Sequence, residues 1–247
     1  MTPIPTRLRK GPLIEAIWQA QFDAANAGDL LPGVLFAALR GSHPGVQMQR
    51  LPAADIPAVL TQADPNLRYV TKIRMEVPGE PLIWQAGDRV VALNCRQPYV
   101  GWPEFKGAIE AFIKIIDASG LVPSPLGHSL RYLDLLTLDQ PLDLSALKLS
   151  MQLGDHKVNR HGLRVRVELP DDDCTHTVQI VTPADSNLPS GKVTGTLVDM
   201  ETAPSTPPNS WDSVREQLEI LHTKSKDLFF RQILTDSAIE RMEPEYS

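Results

Sequence analysis

The chain of 247 residues carries 24 basic against 30 acidic side chains, a net charge of −6, with 42% hydrophobic and 6% aromatic residues. That apolar share can offset the entropy of ordering, which excludes a chain that is disordered throughout. The acidic balance disfavours a protein that simply coats nucleic acid.

Residues 1–12 read as an extended, basic, Pro-punctuated arm. Leu13–Phe22 alternates, with Ala16, Trp18, Ala20 and Phe22 on one side, and is expected to be a strand. Leu31, Leu35 and Leu39 mark a short helix stopped by Gly41, and Val46–Leu51 is a strand between prolines. A meander follows over Arg68–Val77, Leu82–Ala86 and Val90–Cys95, turned by Pro78-Gly79-Glu80-Pro81 and Gly87-Asp88. Pro103 then opens a helix whose stripe is Phe105, Ile109, Phe112, Ile113 and Ile116, closed by Gly120.

After the stiff connector 121–127 the pattern begins again. Ser129–Leu138 is a strand, Leu142–Leu147 is at most one helical turn, and four strand candidates follow. They are Leu149–Leu153, Leu163–Leu169, Thr177–Thr182 and Thr194–Glu201. A long helix runs from Ser210 to Ile233, with Ser210 as its cap and Trp211, Val214, Leu218, Leu221, Leu228 and Ile233 as its buried side. The 22 prolines cluster between these segments, so they punctuate many short strands.

The expected fold class is therefore α+β. It comprises two similar antiparallel-sheet halves, 13–122 and 123–236, each backed by a long helix, with the arm at 1–12 and an acidic tail at 237–247. No uncharged apolar run approaches the roughly 20 residues that cross a bilayer. The basic start at Arg7, Arg9 and Lys10 runs into Pro12 and Glu15, a poor signal peptide. Cys95 and Cys174 are too few for a disulfide framework and lie in no Cys-x-x-Cys pair, which suits a cytoplasmic protein.

The densest polar constellation is Asp155-His156-Lys157-Val158-Asn159-Arg160-His161, followed by Asp171-Asp172-Asp173-Cys174-Thr175-His176. His156, His161, Asp171, Asp173 and His176 are the residue types of an open metal site, although both stretches read first as polar hairpin tips. Lys157, Arg160, Arg164 and Arg166 form a basic ribbon that could dock an acidic partner or a phosphate backbone, or be an ordinary solvated strand face. Glu15 and Arg131 are charges in apolar strands and are expected to pair structurally with one another. Trp102 stands at a helix entrance, either as a partner anchor or as a staple packing back. His222, Lys224 and Lys226 read as the solvated flank of the last helix. His128 and Ser129 adjoin on a strand and point to opposite faces, so with Asp134 they make no Ser-His-Asp triad.

Four marks recur in order along nearly the whole chain. They are Pro12-Leu13-Ile14-Glu15-Ala16, Tyr99-Val100-Gly101-Trp102-Pro103-Glu104-Phe105, Leu130-Arg131-Tyr132, and Leu221-His222 running into Phe229-Phe230. On these the chain resembles a sporadically distributed bacterial family of uncharacterised proteins, departing from it at Leu133-Asp134, where the family often has Asn. The resemblance implies no activity, substrate or cofactor. Patchy distribution is common among mobile or defence-associated genes, so it implies an accessory role in such a system.

These readings lead us to expect a non-enzymatic binding or regulatory accessory subunit of a larger bacterial complex, with a protein partner, no cofactor and no membrane. One alternative is a nucleic-acid-associated component using the ribbon at 156–166. The other is a metal-dependent hydrolase.

Overall fold

A computed structural model describes residues 3–24, 27–65, 67–138, 143–158, 162–188 and 191–246. In chain order the elements begin with β1 (Arg7–Leu8), β2 (Leu13–Gln21), α1 (Ala27–Ser42), β3 (Gln47–Arg50), α2 (Ala58–Ala63), β4 (Thr71–Glu76), β5 (Leu82–Gly87), β6 (Val90–Arg96) and α3 (Trp102–Ala118). They continue with β7 (Gly127–Leu136), β8 (Gln152–Leu153), β9 (His156–Lys157), β10 (Leu163–Pro170), β11 (Cys174–Leu188), β12 (Gly191–Pro204), α4 (Trp211–Asp227), α5 (Asp236–Arg241) and β13 (Pro244–Glu245). The class is α+β, with antiparallel sheet and helices.

The chain divides into two compact units. One comprises Met1–Ile14, Arg131–Thr202 and Ile220–Ser247, the other Glu15–Leu130 and Ala203–Glu219. In the second unit the strands lie in the order β2-β6-β5-β4-β3. Its core follows from the strand period of two: Ala16, Trp18, Ala20 and Phe22 are fully buried. All of β6 except Arg96 is buried, so this strand is covered on both faces and reads as an apolar run broken only by Asn94. The stripe predicted for α3 is buried, and Trp18 meets Phe112 edge-on at 6.3 Å. Trp211 is anchored by its indole N–H, which donates to Val122 O at 2.9 Å.

In the first unit the strands run in the order β10-β11-β12-β7. The strands β11 and β12 are 15 and 14 residues long, far beyond the expected 177–182 and 194–201. The expected strand at 149–153 is shorter: Gln152–Leu153 pairs with His156–Lys157 as a separate small hairpin. Ser210 caps α4 as expected, its hydroxyl accepting from Ser213 N–H at 3.2 Å. The helix stays α-helical only to Asp227. Leu228–Ile233 is π-helical, with Leu234 N–H donating back to Phe229 O. The acidic C-terminal stretch carries α5 and β13, and β13 pairs with β1, Arg7 opposite Glu245.

One close approach depends on glycine. At Gly87, which ends β5 beside the register shift between Thr71 and Ile73, a Cβ would stand 2.1 Å from Val70 O. Backbone cannot yield as a side chain does, so Gly87→Ala is expected to cost about 1–3 kcal/mol. Thermal unfolding should show a midpoint lower by several degrees, whereas Gly107→Ala in α3, where a Cβ meets nothing within 4 Å, should not lower it.

Candidate functional site

The β10–β11 hairpin carries five of the residues that the sequence singles out: Arg164, Arg166, Asp171, Asp173 and His176. Its register pairs Leu163 with Thr182 through to Pro170 with Thr175. The tight turn is closed by Asp171 N–H donating to Cys174 O at 2.8 Å. Alternation then fixes the rest: the backbone groups of Leu163, Val165, Val167 and Leu169 point to β11, and those of Arg164, Arg166 and Glu168 point outward. Pro170, with no N–H to give, falls at an outward position. As β10 lies at the end of the strand order, this outward row pairs with no further strand among the described residues.

The side chains divide the same way. Arg164, Arg166 and Glu168 share one exposed face, with Arg166 paired to Glu168 at 3.2 Å. Leu163, Val165, Val167 and Leu169 lie on the other, with Cys174, His176, Val178, Ile180 and Thr182 of β11. Lys157, on the small hairpin, is exposed. Arg160 and His161 lie outside the described residues.

Of the five candidate metal ligands, only Asp171 and His176 fall in one donor cluster among the described residues. His156 is paired opposite Leu153 in the β8–β9 hairpin. Asp171 and His176 instead meet Cys174, and the donor atoms of these three all lie within 4.8 Å of one another. Cys174 Sγ is 3.5 Å from His176 Nε2, and His176 Nδ1 is 2.8 Å from Thr202 Oγ1. Ser225 Oγ lies 2.8 Å from Thr202 Oγ1 and donates to Leu221 O at 2.7 Å. Lys224 Nζ is 2.9 Å from Asp171 Oδ2 and 3.8 Å from Asp173 Oδ2. Burial pushes the Cys174 thiol up to about 11 and the His176 imidazole down, so an uncharged Cys-His pair is favoured. Hydrogen bonding from Lys224 holds the Asp171 carboxyl below its usual range. Cys174 was not among the candidate ligands, yet its place two residues from His176 on a strand was the signal for it.

The expected solvated flank of α4 is corrected by these contacts. Lys224 is tied to the turn, and His222 Nδ1 lies 2.9 Å from Tyr132 Oη. A polar helix face meets polar groups of the sheet because leaving those groups dry and unpaired costs more than bringing helix side chains to them.

The expected Glu15–Arg131 pairing is likewise replaced, because each charge takes a partner on its own strand's neighbour. Glu15 stands opposite Arg96 in the β2–β6 register. Its carboxylate accepts from Asn94 Nδ2 at 2.8 Å and lies 3.6 Å from Arg96 Nε. Arg131 makes a two-pronged contact with Asp199, at 2.6 and 2.5 Å. The Trp102 indole donates to Glu219 Oε2 at 3.1 Å, and Lys106 reaches the same oxygen at 2.8 Å. Trp102 thus links the entrance of α3 to Glu219 of α4.

Two titratable groups on β7 are buried outside these contacts. His128 Nε2 faces Gln217 Oε1 at 2.9 Å, and Gln217 donates to Thr206 O, so the imidazole N–H sits on Nε2. Desolvation takes His128 down to about 4, against a smaller opposing hydrogen bond. Desolvation alone raises Asp134 to about 8. Beside the π-helical segment, a cavity of about 250 Å³ is lined by Pro5, Lys148, Phe230, Arg231, Ile239 and Tyr246 among others. Its cations are engaged: Lys148 donates to Arg231 O at 2.8 Å, and Arg231 pairs with Asp227 at 3.2 Å.

Cys95 and Cys174 are free thiols, and no described helix is long and apolar enough to cross a membrane. No family model matches the chain, and no curated protein matches it.

The β7 pair makes a pH prediction. Below its unfolded value near 6.5, His128 is protonated only in the unfolded chain, so its stabilising effect is lost as pH falls from about 6.5 to 4. Asp134 acts oppositely: from about pH 4 to 8 the unfolded chain ionises it while the folded chain keeps the proton, so stability falls as pH rises. Their contributions offset one another below pH 6.5, and above it Asp134 acts alone. Urea unfolding should give a lower midpoint at pH 8 than at pH 6.5, and Asp134→Asn should remove that decline. A decline of equal size in the variant would assign it to other groups.

Proposed function

We propose that this chain is a non-enzymatic binding subunit of a larger bacterial complex, holding a protein partner by strand addition along the outer edge of β10. The observation that carries the reading is the row of outward-facing backbone groups at Arg164, Arg166 and Glu168, on an eight-residue edge strand. An added strand would gain main-chain hydrogen bonds there, and side-chain alternation would supply specificity. The partner strand that suits this edge is extended and places acidic side chains opposite Arg164 and Arg166.

The two free thiols fit a cytoplasmic protein. The family resemblance carried by the four sequence marks, and with it an accessory role in a mobile or defence-associated system, belongs to the same proposal. So does the reading of the chain as two similar halves, which the equal lengths of α3 and α4, 17 residues each, support.

Arg166→Pro separates an edge interaction from a general surface effect. Its N–H points away from β11, so proline removes an outward donor and leaves the β10–β11 ladder intact. Affinity purification from the native host should recover one protein partner with the wild type and lose it with Arg166→Pro, at an unchanged unfolding midpoint. Equal recovery with Arg166→Pro and with Arg164→Glu/Arg166→Glu would overturn the reading. Recovery of RNA or DNA instead, with binding that falls steeply with salt, would favour the nucleic-acid alternative.

A further inference from the structure

The cluster at the β10–β11 turn does more than fill space. We propose that Asp171, Cys174 and His176 form a site for one divalent transition-metal ion of the zinc type, with a fourth position left to water. This inference does not rest on strand addition at β10.

Distance is the first argument. A tetrahedral zinc ion bonds sulfur at about 2.3 Å and imidazole nitrogen at about 2.0–2.1 Å, which sets its sulfur–nitrogen edge at about 3.5 Å. Cys174 Sγ and His176 Nε2 stand 3.5 Å apart. The Asp171 carboxylate completes a group within 4.8 Å, so it closes on the ion by a side-chain rotation of small reach.

Local structure is the second. The turn that closes on the Asp171–Cys174 hydrogen bond brings the first donor back over the strand, and strand alternation places residues 174 and 176 on one face. An Asp-x-x-Cys-x-His segment thus presents all three donors with no contribution from distant chain.

The histidine is oriented as a ligand is. His176 Nδ1 lies 2.8 Å from Thr202 Oγ1, and that hydroxyl lies 2.8 Å from Ser225 Oγ, so the ring is held from its far side by a buried pair of hydroxyls. With an ion on Nε2, the ring proton sits on Nδ1, where the Thr202 hydroxyl oxygen accepts it. Metal-bound histidines are fixed in this manner through their other ring nitrogen.

The donor set also selects the ion. One thiolate, one imidazole and one carboxylate suit zinc or cobalt(II), whereas magnesium and calcium call for oxygen ligands throughout. Cys174 and His176 are buried, and the Asp171 side chain is 37% exposed, so the ion enters past the carboxylate. Lys224 supplies the positive charge at Asp171 in the ion-free chain. On binding, the ammonium turns to Asp173, from which it is already only 3.8 Å away. The reaction is a ligand exchange: the Cys174 S–H bond breaks, the proton leaves to water, and sulfur bonds the ion.

The test is titration of chelator-stripped full-length protein with Co²⁺. A thiolate-to-cobalt charge-transfer absorption is expected, saturating at one ion per chain and bleached by Zn²⁺. It should persist in Cys95→Ser and vanish in Cys174→Ser. Asp171→Asn, on the exposed rim, should weaken Co²⁺ binding by about tenfold or more without touching the core. Lys224→Met should tighten it, because the competing ammonium is gone. Zn²⁺ should raise the unfolding temperature of the wild type by several degrees, and Mg²⁺ should leave it unmoved. A wild type without the absorption, or an equal absorption in Cys174→Ser, would overturn the proposal.

Discussion

Thr202 has no exposed surface, and its hydroxyl must be satisfied inside the protein. It sits between His176 of β11 and Ser225 of α4, and Ser225 in turn bonds the backbone of its own helix. This chain of hydroxyl contacts fixes the rotation of the second half of α4 against β11 and β12. The contacts at Tyr132–His222 and Asp171–Lys224 follow from the same rotation. An apolar seam alone would tolerate sliding by a fraction of a turn. A buried hydroxyl that loses its partner loses on the order of 1–3 kcal/mol, so the register is held.

Other buried or paired charged groups are neutralised where they stand. Arg131 and Asp199 neutralise one another through two hydrogen bonds. Asp134 and His128 are rendered neutral near pH 7 by burial, in opposite directions. Such groups shape stability against pH. On the readings proposed above, interaction falls instead on the outer edge of β10 and at its turn.

Those two features are consequences of one hairpin. On β11 the face carrying Cys174, His176, Val178 and Ile180 is buried, on β10 the face carrying Arg164, Arg166 and Glu168 is exposed, and the turn brings a carboxylate to the buried cysteine and histidine. An edge strand invites pairing with other chains, and charged side chains are the usual guard against indiscriminate pairing. Arg164, Arg166 and Glu168 serve as such a guard and, on the reading proposed above, also as the selector of the accepted strand.

Much of the architecture was legible without coordinates, since it depends on periods of two and 3.6 residues that neighbours in sequence display directly. Trp18 with its alternating companions, the α3 stripe and the Ser210 cap were of this kind, and each formed where the pattern put it. The partners of the charges were not legible. Glu15 met Asn94 and Arg96, and Arg131 met Asp199, because strand register decides which side chain stands opposite, and register depends on contacts far along the chain. The same holds at the turn. The sequence determined by itself that Asp171 and His176 would stand near a tight turn, and it listed His156 and His161 beside them with equal weight. Only the tertiary structure put His156 on a separate hairpin, brought Cys174 to His176, and set Lys224 and Thr202 around them. Composition states which donors exist. The packing of α4 on β11 and β12 decides which of them share one space.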